Sequence, residues 1–132
     1  MIMQKFKLNF LDHVAIRVKD QQRSVDWYES VLGLRRGDFP EWKDYPVFVG
    51  DRNFGIAIFP ANISDPEIDK SSSNARIDHF AFNVSNEDFE KAKRHYQDLG
   101  LEFKIEDHFY THSIYTNDPD GNIVELTTPV KR

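Results

Sequence analysis

The sequence predicts an α+β fold made of two paired βαβββ modules that share one core. The first observation is an internal repeat. Residues 11–34 read LDHVAIRVKDQQRSVDWYESVLGL and residues 77–101 read IDHFAFNVSNEDFEKAKRHYQDLGL. His13 and Gly33 of the first copy align with His79 and Gly100 of the second, with one inserted residue. The second observation is that each copy opens at strand period and continues at helix period. The third is size. At 132 residues the chain is one domain's length, whereas a module of about 60 residues alone has too little interior to be more than marginal.

The elements follow in order. Val14, Ile16 and Val18 alternate with His13, Ala15 and Arg17, which is a strand. Val25, Tyr28, Val31 and Leu32 then recur at helical spacing, with Ser24 as the expected N-cap and Gly33 as the C-terminal stop. VFVGDRNFGIAIF at 47–59 reads as further strands and completes module one, about residues 8–61. A polar linker, about 62–75, carries Pro66 and Ser71–Ser73. In module two, about 76–129, Phe80, Phe82 and Val84 alternate with His79, Ala81 and Asn83. Phe89, Ala92, Tyr96 and Leu99 form one helix face, capped by Ser85 or Asn86 and ended by Gly100. SIYTNDPDGNIVEL at 113–126 supplies strands around the turn Asp118-Pro119-Asp120-Gly121, whose Asp residues are expected to cap the turn.

Composition narrows the function. Hydrophobic residues are 39% and charged residues 30%, the balance of a globular protein. Net charge is −5, and no block of Lys and Arg could neutralise phosphates, so nucleic acid is not an expected partner. No stretch resembles a signal h-region or a membrane span, which predicts a soluble cytoplasmic protein with no membrane partner. Cys is absent, so any metal site must use nitrogen and oxygen ligands.

Strand alternation sorts the candidate ligands. The apolar sets Val14/Ile16/Val18, Phe80/Phe82/Val84 and Val124/Leu126 should face the helices. His13, His79 and Glu125 then project from the opposite faces and can converge if the sheets curl toward one another. Two His and one carboxylate on separate strands make a facial triad that leaves coordination positions open for substrate. Asp12 and Asp78, by the same alternation, point to the other side and are not counted as ligands. His95, beside Lys93 and Arg94, is expected in solvent; His112 is without a role; Phe39, Trp42 and Tyr45 are expected in the core or at a dimer contact.

The paired modules, the two strand histidines and the string DPDGNIVEL together resemble the vicinal oxygen chelate superfamily, from Leu11 to Thr128. That group includes glyoxalase I, extradiol dioxygenases, fosfomycin-resistance enzymes and bleomycin-resistance proteins. The resemblance implies curved mixed sheets around a central cleft, a divalent metal (Fe, Mn, Zn or Ni) on His13, His79 and Glu125, and a homodimer. It implies a small-molecule substrate that chelates the metal through neighbouring oxygens, in a glyoxalase- or dioxygenase-like reaction. The glyoxalase I position for a fourth ligand is Ala57 or Ile58 here, and neither binds metal. His108, Ile114-Tyr115, Asp118-Pro119, Gly121 and Glu125 keep the spacing of the extradiol signature, although Glu106 departs from it and residues 62–78 lack its additional acid–base His. Tyr115 and His108 are therefore the candidate catalytic residues. Ser113 and Tyr115 occupy positions where fosfomycin-resistance enzymes contact substrate, which makes Ser113 the candidate substrate-binding residue. An epoxide-opening enzyme and a non-catalytic drug-binding protein are the alternative readings.

Overall fold

The computed structural model describes residues 5–62 and 77–130. The greater part of the expected linker lies outside the described residues. Strand β1 (His13–Val18) leads into helix α1 (Gln21–Leu32), then β2 (Arg35–Arg36), a short 3-10 turn at Pro40–Trp42, β3 (Val47–Asp51) and β4 (Phe54–Pro60). Module two repeats this as β5 (Phe80–Asn83), α2 (Asn86–Asp98), β6 (Lys104–Asp107), β7 (Thr111–Asn117) and β8 (Ile123–Pro129). The strands form two four-stranded mixed sheets, ordered β1-β4-β3-β2 and β5-β8-β7-β6, and neither closes into a barrel. The first strand of each module runs parallel to the last, and the remaining pairs are antiparallel. The α+β pattern of two βαβββ modules is therefore the one the repeat predicts.

Helix limits follow from local chemistry. Asp20, not Ser24, is the N-cap of α1: its carboxylate accepts the Arg23 amide at 3.0 Å, which starts the helix one turn earlier. Ser24 instead points into the core. Gly33 ends α1 at φ 68, a left-handed conformation that favours glycine. Ser85 caps α2 by accepting the Asp88 amide at 3.1 Å.

Helix α1 packs against both modules, and this sets where the candidate site can form. One core cluster joins Val25 and Tyr28 of α1 to Val49, Ile56 and Ile58 of the first sheet and to Val124 of β8. A second joins Val31 of α1 to Phe89, Tyr96, Ile114 and Leu126 of module two. The start of α1 also grips the turn before β8. The Tyr28 hydroxyl donates to Asp118 at 2.7 Å, the Ser24 hydroxyl to Asp120 at 3.3 Å and the Lys19 amide to Asp120 at 3.1 Å. Asp118 also caps its own turn by accepting the Asp120 and Asn122 amides. The helix-facing sides of the two sheets are thus turned toward a shared helix.

In module one, Gly55 pairs with His13 and makes room for the Phe48 ring, which stands edge-on to the His13 ring at 6.2 Å between centroids. A Cβ at Gly55 would collide with that ring and with the Val49 carbonyl. Gly55→Val is therefore expected to destabilise the protein by about 1–3 kcal/mol through overpacking. Thermal melts would show this as a lowered midpoint; an unchanged midpoint would mean that Phe48 moves aside freely.

Candidate functional site

The two sheets repeat each other residue by residue. In module two Ala81 pairs with Glu125, and in module one Ala15 pairs with Ala57. Ala57 thus stands where module two has its carboxylate. The described chain offers a His and a Glu on one sheet and a His alone on the other.

His79, just before β5, and Glu125, on β8, meet directly: Nε2 of His79 lies 2.9 Å from Oε1 of Glu125. Both outer atoms of the pair are held. The Nδ1 of His79 faces Asp78 Oδ2 at 2.8 Å, and the Ser113 hydroxyl donates to Glu125 Oε2 at 2.7 Å. Glu125 and Ser113 are buried, whereas the imidazole of His79 opens onto a cavity. The hydrogen bond to Asp78 raises the pKa of His79; burial opposes the rise, and the Glu125 charge adds to it. A protonated His79 donates from both nitrogens to the two carboxylates.

Module one builds half of the same device. Nδ1 of His13 faces Asp12 Oδ1 at 2.9 Å. Asp12 and Asp78 therefore orient the histidines, which alternation placed out of their reach. Both precede the first residue of their strands, so strand alternation does not govern them and their carboxylates turn back onto the neighbouring ring. The signal was in the sequence as the repeated Asp-His pair.

The cavity that His79 faces is about 570 Å³ and is lined by Asp78, Lys104, Glu106, Tyr115 and Asn117 among others. The Tyr115 ring stands edge-on to His79, and the Tyr115 hydroxyl is 2.8 Å from Nε2 of His108. Burial raises the Tyr115 pKa, and the Glu125 charge raises it further. Glu106 sits between Lys104 (2.6 Å) and His108 (3.3 Å), and its bond to Lys104 lowers its pKa. Glu106 is thus a site residue that sequence reasoning noted only as a departure from a pattern.

The remaining candidates separate. His13 lines a second cavity of about 710 Å³, between β1 and β5, whose wall His79 also touches. Among the described residues no three His, Cys, Asp or Glu side chains gather closely enough to hold a metal ion. The chain therefore brings His79, Glu125, Ser113, Tyr115 and His108 to one region and does not add His13 to them. His95 is not simply solvated: its Nε2 lies 3.0 Å from the Ser30 carbonyl and ties α2 to α1. His112 faces Asp107 across the β6–β7 pair at 3.5 Å. Phe39 and Trp42 stack at 4.2 Å and remain exposed with Tyr45, so this cluster is not core.

The donor set suits a divalent cation. The 2.9 Å between His79 Nε2 and Glu125 Oε1 is close to the ~3 Å that separates adjacent ligands of a metal bound at ~2.1 Å. A carboxylate on the distal nitrogen of the His and a hydroxyl on the distal oxygen of the Glu are the supports that metal ligands receive. A cation at this point would replace one proton between two basic groups.

Comparisons with known proteins identify the family. The model of the Glyoxalase/Bleomycin resistance protein/Dioxygenase superfamily matches residues 10–126. A lactoylglutathione lyase of Escherichia coli O157:H7 is 33% identical over 122 residues, covering 86% of this chain and 88% of the relative. The glutathione transferase FosA of Serratia marcescens is 28% identical, covering 90% of this chain and 80% of the relative. A glyoxalase/dioxygenase structure from Nostoc punctiforme superposes with a TM-score of 0.80 at 18% identity, covering 99% and 98% of the two chains, a likeness of fold. With the repeated modules, the paired registers and a family match over most of its length, the chain belongs to the Glyoxalase/Bleomycin resistance protein/Dioxygenase superfamily.

Proposed function

We propose that this chain is a divalent-metal-dependent, glyoxalase- or dioxygenase-like enzyme for a small substrate that chelates the metal through neighbouring oxygens. The observation that carries the reading is the His79–Glu125 pair, two ligand-type atoms 2.9 Å apart with both distal atoms already fixed. Its third protein ligand is His13 of the partner subunit, in a cytoplasmic homodimer. This arrangement accounts for a His13 that carries the same orienting Asp as His79 yet gathers no ligand set of its own among the described residues. Ala57 in the place of a carboxylate keeps the set at three protein ligands and speaks against a four-ligand lyase.

The metal, Fe, Mn, Zn or Ni, would supply Lewis-acid stabilisation of charge developing on the chelated oxygens. The chain's own residues do the rest. Asp78 orients His79. Ser113 positions Glu125; with its hydroxyl occupied there and the side chain fully buried, that role replaces the expected contact with substrate. Tyr115, kept protonated by its raised pKa, faces the same cavity and is the hydroxyl placed to donate to a substrate oxygen. His108 Nε2 lies 2.8 Å from the Tyr115 hydroxyl and 3.3 Å from Glu106 Oε2; with the proton on Nε2 it donates toward these oxygens, holds Tyr115 in place and leaves the phenol proton for substrate.

Ser113→Ala is expected to weaken metal binding about 10–100-fold, the usual cost of losing a residue that orients a ligand. Metal titration of the chelator-stripped protein measures this; an unchanged affinity would show that Glu125 needs no such support. The whole reading is tested by metal analysis of protein purified without chelator, against His79→Ala. Bound metal in the wild type and its loss in the variant are expected, whereas none in either, or equal amounts in both, would refute the assignment. With metal in hand, oxygen uptake on a catechol panel, hemithioacetal isomerisation and epoxide opening separate the reactions. The 28% identity to FosA favours epoxide opening as the second reading. A wild type that binds drug-like aromatics but no metal would leave the non-catalytic alternative.

A further inference from the structure

Glu106, which departs from the extradiol signature, stands among groups that give it a task. Lys104, Glu106 and His108 recur at every second position along and just past the edge strand β6, so alternation puts them on one side. Their contacts agree: Glu106 touches Lys104 through one oxygen and His108 through the other. Lys104 pairs across the sheet with Tyr115, and Tyr115 pairs with Glu125, so this stripe borders the row that holds the proposed ligand carboxylate. The hairpin tip that carries His108 is fixed. The His108 amide donates to the Thr111 carbonyl at 2.8 Å, and the Phe109 amide donates to the Asp107 carboxylate at 2.8 Å.

Two oxygens face one ring nitrogen here. His108 Nε2 lies 2.8 Å from the Tyr115 hydroxyl and 3.3 Å from Glu106 Oε2. The hydrogen bond between His108 and Tyr115 can run either way, because a neutral imidazole and a phenol can each donate or accept. Left alone, the phenol is the stronger acid of the two and takes the donor's place. The carboxylate reverses this. An anion beside Nε2 repels a lone pair on that atom and attracts an N–H. Glu106 is kept anionic by Lys104, whose ammonium lies 2.6 Å from Oε1 and whose hydrogen bond lowers the carboxyl pKa.

We infer that Glu106 is a positioning residue: acting through His108, it keeps the ring proton on Nε2, makes Tyr115 the acceptor of their hydrogen bond and so commits the phenol proton to the cavity. The bond between His108 and Tyr115 holds one proton. When His108 supplies it, the proton of Tyr115 points elsewhere, toward the Glu125 row and the cavity of about 570 Å³ that Tyr115 lines. A His108 ring protonated on both nitrogens keeps the same polarity. The inference rests on the reading of Tyr115 as the hydroxyl that donates to a substrate oxygen, and it names the residue that sets the direction of that donation.

The test reads the ring proton itself. Full-length protein, stripped of metal with chelator, is labelled with nitrogen-15 in its His rings, and the His108 signals are assigned by their loss in His108→Gln. Nδ1 and Nε2 are followed by NMR to the alkaline end of a pH series, where the ring is neutral. The wild type should hold its proton on Nε2. Glu106→Gln, which keeps the shape and removes the charge, should lower the ratio of the Nε2–H to the Nδ1–H tautomer about tenfold. Glu106→Val, which removes the carboxylate altogether, should do the same and keeps the test open if the amide variant folds poorly. Tyr115→Phe should leave the proton on Nε2, because the carboxylate and not the phenol holds it there. A bare Nε2 in the wild type, an unmoved ratio in the Glu106 variants, or loss of the Nε2 proton in Tyr115→Phe would overturn the inference. The readout needs neither metal nor substrate. A wild type that binds no metal would therefore refute the proposed function and leave this result standing, whereas an unmoved ratio would overturn the role of Glu106 alone.

Discussion

Glu125→Ala is expected to abolish metal binding and to lower turnover on the order of 1,000-fold or more, because the metal would lose its anionic ligand. The same substitution should not unfold the protein. Glu125 is a buried carboxylate whose partners are a hydroxyl and a histidine that opens onto the cavity, and such groups are held for function at some cost in stability. Without metal, the thermal midpoint of the variant should equal or exceed that of wild type, since the Ser113 hydroxyl retains Thr127 at 3.5 Å. Metal analysis and melts in the presence of chelator check the two halves. A variant that keeps its metal, or that melts far below wild type, would make Glu125 a structural residue.

Asp118→Ala should have the opposite signature: a large loss of stability with no direct effect on the metal ligands. Asp118 accepts the Tyr28 hydroxyl, the Asn122 side-chain amide, and the backbone amides of Asp120 and Asn122. Tyr28 is fully buried, and burial pushes its hydroxyl pKa strongly up, so the proton it donates has no other outlet. Removing the carboxylate strands that donor in the core and frees the turn before β8, at an expected cost of about 3–5 kcal/mol. Tyr28→Phe, which leaves the other donors in place, should cost only about 1–2 kcal/mol. Urea denaturation of both variants measures the difference. A loss below about 0.5 kcal/mol for Asp118→Ala, the range of an ordinary surface change, would mean that the turn holds without its anchor.

The two variants divide the molecule along a line that the sequence makes only partly visible. The βαβββ pattern is legible because period-2 and period-3.6 alternation are local, and because a duplicated segment carries them twice. The face of each strand is legible for the same reason, which is why Glu125 and Val124 fall on the sides that alternation assigns them. Distances between elements are another matter. Nothing local to α1 says that Val25, Tyr28 and Val31 serve both modules. Ser24 reads as a cap because Ser caps helices, yet Asp20 offers the same acceptor one turn earlier and the tertiary contact with Asp120 draws Ser24 inward. His95 reads as solvated because its own helix is polar there; the carbonyl it reaches belongs to a different helix. In each case the sequence carries the residue and the packing assigns its partner.

The central claim is a metal centre assembled from His79 and Glu125 of one chain and His13 of the partner subunit. Mixed dimers test it most directly. His13→Ala and Glu125→Ala homodimers should each be without metal. Refolded together from denaturant, the two chains form heterodimers in which one centre has every ligand and the other lacks two of them. Metal content should then recover to about a quarter of wild type, the share expected if the chains pair at random in closed two-fold dimers. No recovery on mixing, or metal retained by either homodimer alone, would contradict the shared centre.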